Sequence, residues 1–295
     1  MTYTGRFAPS PTGPLHFGSL LAALASYLDA RHQQGKWLVR IEDLDPPREV
    51  EGASAAILRC LENFGFEWDA NVIYQSQRHT FYRERLQQLI SDQNAYYCNC
   101  SRQQLRQRSG SHLYDSYCLT HPPSSPSGCA IRCRVRSGVN PANATFTDRI
   151  QGQQPAYCSE DFVLFRRDGF FAYQLAVVLD DAVQQITHVV RGSDLLDSTP
   201  KQLQLQYCLN LPTPSYAHIP VAANEQGQKL SKQTFARPLD DEPVPQLLAA
   251  LSFLGQNPPA SLADSNKEDV LAWAIQHWQI NNIPPHASII WPPHA

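Results

Sequence analysis

No apolar stretch in this sequence reaches the roughly 18 residues that a membrane-spanning helix needs. The opening Met1-Thr2-Tyr3-Thr4-Gly5-Arg6 lacks the apolar centre of a secretion signal. Lysine is scarce, with five in 295 residues. No internal repeat is present, and no side chain stands out as a covalent nucleophile. Eight cysteines do not amount to a disulfide framework, because a chain of 295 residues can bury a core without staples. These absences predict a soluble, cytoplasmic protein with no membrane partner.

The length suits a catalytic domain of about 200–250 residues with a small accessory unit. Net charge is −3, but its distribution is uneven. From Arg78 to Arg167 there are twelve arginines, no lysine and six acids, a net of +6 that leaves −9 on the remainder. An exposed basic stripe of this kind suits phosphate, which supplies most of the sequence-independent affinity for nucleic acid. Within the same segment Cys98, Cys100, Cys118 and Cys129 lie close together, with Cys133 just behind. That clustering favours a metal site over scattered core thiols.

The first hundred residues alternate strand and helix signals. A strand at Tyr3–Ala8 runs into a loop broken by Pro9, Pro11, Gly13 and Pro14. The next helix spans about Gly18 to Gln33 and places Leu20, Leu21, Leu24 and Leu28 on one apolar face. A strand at Trp37–Ile41, a helix through Ala53, Ile57, Leu61 and Phe64, a strand at Val72–Tyr74 and a helix at Thr80–Gln93 follow. This alternation predicts an α/β protein with a parallel sheet. The pattern breaks in an inserted segment, residues 96–160. Parallel-sheet signals return at Phe162–Phe165, Thr187–Arg191 and His218–Val221, with a helix near Asp197–Cys208. The expected division is therefore 1–95 and 161–240 for the main domain, 96–160 for the insert and 241–295 for a short helical end. Two helices are expected there, Pro245–Leu254 and Lys267–Gln279, with an irregular tail from Ile283.

Two stretches carry chemistry. Arg6-Phe7-Ala8-Pro9-Ser10-Pro11-Thr12-Gly13-Pro14-Leu15-His16-Phe17-Gly18-Ser19 joins the first strand to the first helix, at the sheet edge where open α/β folds bind ligands. The dipole and N–H groups of a helix start suit a phosphate. His16 there can stabilise charge on a phosphoryl group, and Gly18 lets a flat base approach the backbone. The second stretch, Lys229-Leu230-Ser231-Lys232-Gln233, puts two of the five lysines on one loop, where they can meet polyphosphate oxygens.

Together, Pro-x-x-Gly-x-Leu-His-x-Gly near the start and Lys-Leu-Ser-Lys late in the chain resemble the two signatures of class I aminoacyl-tRNA synthetases. Arg6–Gly13, Ile41-Glu42-Asp43-Leu44-Asp45 and Val190-Arg191-Gly192-Ser193-Asp194 narrow the resemblance to the glutamyl and glutaminyl branch. It covers about residues 3–240 and is closest to the glutamyl-Q tRNA(Asp) synthetase family, shortened relatives of glutamyl-tRNA synthetase. Ser19 replaces the usual final histidine of the first signature, and Gln233 the serine of the second. Sixty-two residues follow Gln233, too few for the helical domain with which glutamyl enzymes read an anticodon.

The resemblance implies a Rossmann-type catalytic domain with an inserted zinc-bearing subdomain. It implies a ligase, acting as a monomer, that activates L-glutamate with ATP and Mg²⁺ and transfers it to the queuosine base of tRNA(Asp). Arg6, Phe7, Ala8, Pro9, Ser10, Glu42, Tyr173 and Arg191 would bind glutamate, with Arg6 at its side-chain carboxylate and Glu42 at its ammonium. His16, Gly18, Ser19 and Lys232 would bind ATP, and His16, Lys229 and Lys232 would serve catalysis. Cys98, Cys100, Tyr114 and Cys118 would hold a structural Zn²⁺, although His112, His121 and Cys129 are the more usual kinds of ligand. Arg102, Arg106, Arg108, Arg132, Arg134 and Arg136 are candidate phosphate contacts. Three other readings stand beside this one: a shortened glutamyl-tRNA synthetase charging tRNA(Glu), a non-catalytic RNA-binding paralogue, and a ligase joining glutamate to a small amine.

Overall fold

The computed structural model describes residues 2–110, 113–135, 144–230 and 237–291. In chain order the elements are β1 (Thr4–Phe7), α1 (Phe17–His32), β2 (Lys36–Ile41), α2 (Ala53–Asn63), β3 (Ile73–Tyr74) and α3 (His79–Ser91). Then come β4 (Ala95–Cys98), α4 (Arg102–Ser109), α5 (Tyr117–Thr120), β5 (Ala130–Cys133), β6 (Thr145–Asp148), β7 (Gly152–Pro155) and β8 (Phe162–Phe165). The chain continues through α6 (Tyr173–Val183), β9 (His188–Gly192), α7 (Thr199–Cys208), β10 (Ser215–Ile219), β11 (Val221–Ala223), α8 (Pro243–Phe253), α9 (Lys267–His277) and β12 (Ser288–Ile290).

Two parallel sets of strands form the centre. One has the order β1-β2-β3, and the other pairs β9 and β6 with opposite edges of β10. They adjoin where Thr187 N–H donates to Thr4 O at 3.0 Å, which places β9 beside β1. From the β1/β9 junction β1 leads outward to β2 and β3, and β9 leads outward to β10 in the opposite direction. In an open α/β sheet this switch point is where ligands bind, outside the carboxyl ends of the strands.

Helix α1 was expected to bury one face, but Leu20, Leu21, Ala23, Leu24, Ala25, Tyr27, Leu28 and Ala30 are all buried. It lies on β1 and β9 and is covered from outside by α8 and α9, so neither side meets solvent. Leu24 and Leu28 have no exposed surface, and truncating either to alanine is expected to cost about 2–5 kcal/mol.

Three expectations are corrected. Strand β8 is not part of the parallel sheet: it pairs antiparallel with β5, which pairs antiparallel with β4. Strand β6, within the segment assigned to the insert, joins the main sheet through Tyr216 and Asp148. The tail from Ile283 is not irregular throughout, because β12 pairs in parallel with β11 and Trp291 stacks on Phe17 with ring centroids 5.3 Å apart. The insert builds its own local structure: Ser101 and Gln104 form a capping box at the start of α4, and Gly110 closes it at φ +64°.

Candidate active site

Because β1, β2 and β9 run parallel, their carboxyl ends deliver Arg6, Glu42 and Arg191 to one edge, and α6 begins there with Tyr173. Arg6 and Arg191 are buried, Glu42 and Tyr173 half-buried and Ser10 exposed. The Phe7 side chain is in the core beside Trp37, so only its backbone faces the edge. Glu42 N–H donates to Pro9 O at 2.9 Å, tying the proline loop to the end of β2.

The charged groups form a chain. Asp181 of α6 accepts from Arg6 Nε at 3.2 Å and from Arg40 Nη1 at 2.8 Å. Arg40, with no exposed surface, also lies 3.3 Å from Glu42. Behind it, fully buried Asp180 accepts from Gln75, Arg78 and Tyr82. Burial raises the Asp181 pKa, but Arg6 and Arg40 outweigh it and hold the carboxyl below its ordinary range. For Glu42 burial prevails over the attraction of Arg40 and Arg6, and its pKa is raised. Burial also pushes up Tyr173, which feels both Arg191 and Glu42.

Arg191 differs. Its Nη1 donates to Tyr173 Oη at 3.3 Å and its Nη2 to Thr199 Oγ1 at 2.9 Å. Among the described residues no carboxylate lies within 4.0 Å of it. A buried guanidinium held by neutral acceptors keeps its charge available for an anion.

On the other side of the proline loop, His16 caps α1 with extended backbone, and its carbonyl accepts from Ser19 N–H at 2.8 Å. A Cβ on Gly18 would crowd the His16 ring at 3.1 Å, so glycine here leaves room for the imidazole, and Leu230 O of the lysine loop lies in ordinary contact distance of the same position at 3.6 Å. The loop leaves a hairpin whose turn is fixed by Asn224, whose side-chain oxygen accepts from Gln226 and Gln228, and by Gly227 at φ +74°. Lys229 Nζ lies 2.7 Å from Asp194, just past β9. Lys232 lies outside the described residues.

In the insert, the thiols of Cys98, Cys100 and Cys118 lie within 4.8 Å of one another. Tyr114 is buried with them and its hydroxyl accepts from Cys118 N–H at 3.1 Å. Arg132 Nε donates to Cys98 Sγ at 3.4 Å and Arg108 Nη2 to Cys100 Sγ at 3.3 Å. Cationic donors at two of the three sulfurs suit thiolates bound to a metal. Cys129 donates instead to Ser125 O, His121 is exposed and stacked on Tyr117, and His112 lies outside the described residues. Of the arginines expected to meet phosphate, Arg108 and Arg132 are thus engaged at the cysteines, and Arg102 and Arg106 are exposed. Arg134 is half-buried, and Arg136 is outside the described residues.

Sequence reasoning missed Arg40, Asp181, Asp148, His218 and Asp194. One signal was available: an arginine inside the apolar run Lys36–Ile41 needs a buried carboxylate partner. Nothing local says that α6 supplies it.

Comparison with known proteins agrees with the fold described above. Residues 3–247 match the family described as tRNA synthetases class I (E and Q), catalytic domain. The glutamyl-Q tRNA(Asp) synthetase of Photobacterium profundum is 51% identical over 292 residues, covering 98% of this chain and 92% of that protein. The glutamyl-Q tRNA(Asp) synthetase of Serratia proteamaculans is 50% identical, with 97% and 94% covered. A crystal structure of a glutamate tRNA ligase from Elizabethkingia meningosepticum in complex with its amino acid superposes with a TM-score of 0.79 at 25% identity, over 98% of this chain and 67% of that one.

Proposed function

The chain belongs to the glutamyl-Q tRNA(Asp) synthetase family of class I tRNA synthetases, and from that membership we propose that it activates L-glutamate with ATP and transfers it to queuosine in tRNA(Asp). The observation that carries the amino-acid assignment is Arg191, a buried cation without a protein carboxylate, on the same edge as Glu42. A substrate with a carboxylate at one end and an ammonium at the other satisfies both.

In this reading Arg191 and Tyr173 receive the side-chain carboxylate, the role the resemblance gave to Arg6, and Glu42 the ammonium. Arg6, shared with Asp181, adds positive charge, and the backbone of Phe7–Ser10 closes the pocket. A free α-carboxylate oxygen attacks the α-phosphorus of MgATP, the bond to the β-phosphate oxygen breaks, and pyrophosphate leaves. His16, the start of α1 at Gly18 and Ser19, Lys229 and Lys232 stabilise the charge that builds on phosphate. A queuosine hydroxyl then attacks the glutamyl carbonyl, losing its proton as AMP departs. Positioning and electrostatics suffice, and no enzyme nucleophile takes part.

Cys98, Cys100, Cys118 and Tyr114 would hold a structural Zn²⁺, which when bound cross-links β4 to α5 and orders the insert. Exposed Arg102 and Arg106 are candidates for contact with RNA phosphates. We take the insert to extend through Phe165, where its sheet ends, and the enzyme to act as a monomer in the cytoplasm. No helix among the described residues is long and apolar enough to cross a membrane.

The test has two stages. Glutamate-dependent pyrophosphate exchange is expected without tRNA. Labelled glutamate should then pass to tRNA(Asp) containing queuosine and not to tRNA from cells unable to make it. Equal labelling of both tRNA pools would overturn the queuosine assignment in favour of a shortened glutamyl-tRNA synthetase.

A further inference from the structure

We infer that His218, with its tautomer set by Asp148, is the positioning residue that orients Arg191 toward the substrate carboxylate. The inference rests on the glutamate reading above and names residues beyond it. In the β9–β10 pair His218 is the direct partner of Arg191, so the two side chains leave the sheet on the same face. Both are buried, His218 completely.

Arg191 Nε donates to His218 Nε2 at 3.0 Å. A guanidinium has only donors, so Nε2 must offer a lone pair and the ring proton must sit on Nδ1. That nitrogen faces Asp148 Oδ2 at 2.6 Å. Asp148 is itself fixed, because Oδ1 accepts backbone N–H groups of Ile150 at 3.0 Å, Gln151 at 2.9 Å and His218 at 3.1 Å. Burial, together with the positive charge of Arg191, keeps the ring neutral against the pull of Asp148.

Arg191 Nη2 is held by Thr199 Oγ1 at 2.9 Å and Leu195 O at 3.4 Å, and Nη1 by Tyr173 Oη at 3.3 Å. Four of the five guanidinium hydrogens thus have acceptors in the protein. The fifth, on Nη1, has none among the described residues. The neutral imidazole also acts as a spacer. Arg6 and Arg40 touch Asp181 directly and share their charge with it. Arg191 is oriented by a carboxylate one ring away, so it is aimed without being neutralised.

Glutamate-dependent pyrophosphate exchange on the full chain tests this. His218→Leu, which removes the acceptor, should raise the KM for glutamate about tenfold or more and move the KM for ATP less than about twofold. His218→Gln, which keeps an acceptor near Nε2, should recover most of the loss. Asp148→Asn can present N–H to Nδ1, turning Nε2 into a donor against Arg191, and should behave like His218→Leu. Equal damage to both substrates, no rescue by glutamine, or an unchanged glutamate KM in His218→Leu would overturn the inference. Ring-nitrogen NMR separates its failure from that of the glutamate reading. A protonated Nδ1 is expected whatever the substrate, and a protonated Nε2 would overturn the geometry. An unaltered chain that exchanges pyrophosphate with another amino acid and not with glutamate would overturn the substrate while leaving that NMR result standing.

Discussion

Arg6 Nε lies 3.2 Å from Oδ1 of Asp181, and both side chains are at most 10% exposed. The arginine near the end of β1, just before the proline loop, therefore already has a carboxylate partner, and Asp181 holds Arg40 as well. Removing one member of a buried ion pair leaves uncompensated charge, so Asp181→Ala should destabilise the fold by about 3–5 kcal/mol. The urea midpoint measures this. The Asp181 pKa is below its ordinary value, so its contribution is full above the unfolded-state pKa, near 4, and fades as pH falls through the lower folded value. A midpoint equal to that of the unaltered chain would remove Asp181 from the framework.

Glu42 shifts the opposite way, upward, because burial outweighs its arginine neighbours. Its protonated form adds stability that is lost as pH rises through the raised folded value, whereas holding an ammonium requires the ionised form. The acid limb of kcat/KM for glutamate should therefore lie above the ordinary carboxylate range. Glu42→Gln should abolish that limb and lower kcat/KM about tenfold to a hundredfold. An unchanged pH profile in the variant would assign the limb elsewhere.

Arg191→Ala should raise the KM for glutamate by several-fold to about a hundredfold and leave ATP binding nearly intact. Arg191→Lys should recover little, since an ammonium cannot serve His218, Thr199 and Tyr173 together. Equal loss for both substrates would mark Arg191 as a structural residue.

Elemental analysis should find about one zinc per chain. Cys100→Ser should weaken its retention and lower the melting temperature while changing pyrophosphate exchange little, because the cluster lies in the insert. A metal-free preparation with an unchanged melting curve would remove the zinc assignment.

Lys232→Ala should slow adenylate formation by about two to three orders of magnitude, the cost of one lost transition-state donor, with glutamate affinity nearly unchanged. Pyrophosphate exchange at the unaltered rate would detach the lysine loop from ATP.

Much of this was legible along the chain. Periodicity located α1, α2, α3, α8 and α9, and apolar runs located β1, β2 and β9, whereas the run His218–Val221 straddles the end of β10 and the start of β11. Composition and spacing singled out the two signatures, and sulfur crowding marked Cys98, Cys100 and Cys118. These are properties of neighbouring residues, and a short window of sequence carries them whole.

Partnership was decided only by tertiary structure. Tyr173–Val183 carries paired aspartates whose partners, Arg6 and Arg40 for Asp181 and Gln75, Arg78 and Tyr82 for Asp180, lie about a hundred or more residues earlier in the chain, so no local pattern declares them. Strand β12 spans three residues among prolines and exists because β11 offers an open edge. Whether Phe162–Phe165 runs parallel or antiparallel depends on β5, some thirty residues earlier in the chain. Arg6 and Arg191 are both conspicuous as arginines at strand ends. That one is bound to Asp181 and the other is aimed by His218 depends on strand register and on groups more than twenty-five residues away in sequence. Sequence by itself determined which residues bring chemistry to the sheet edge. Tertiary structure decided which charges are neutralised by the protein and which remain for the substrate, because Coulomb and hydrogen-bond energies depend on distances that a linear pattern does not contain.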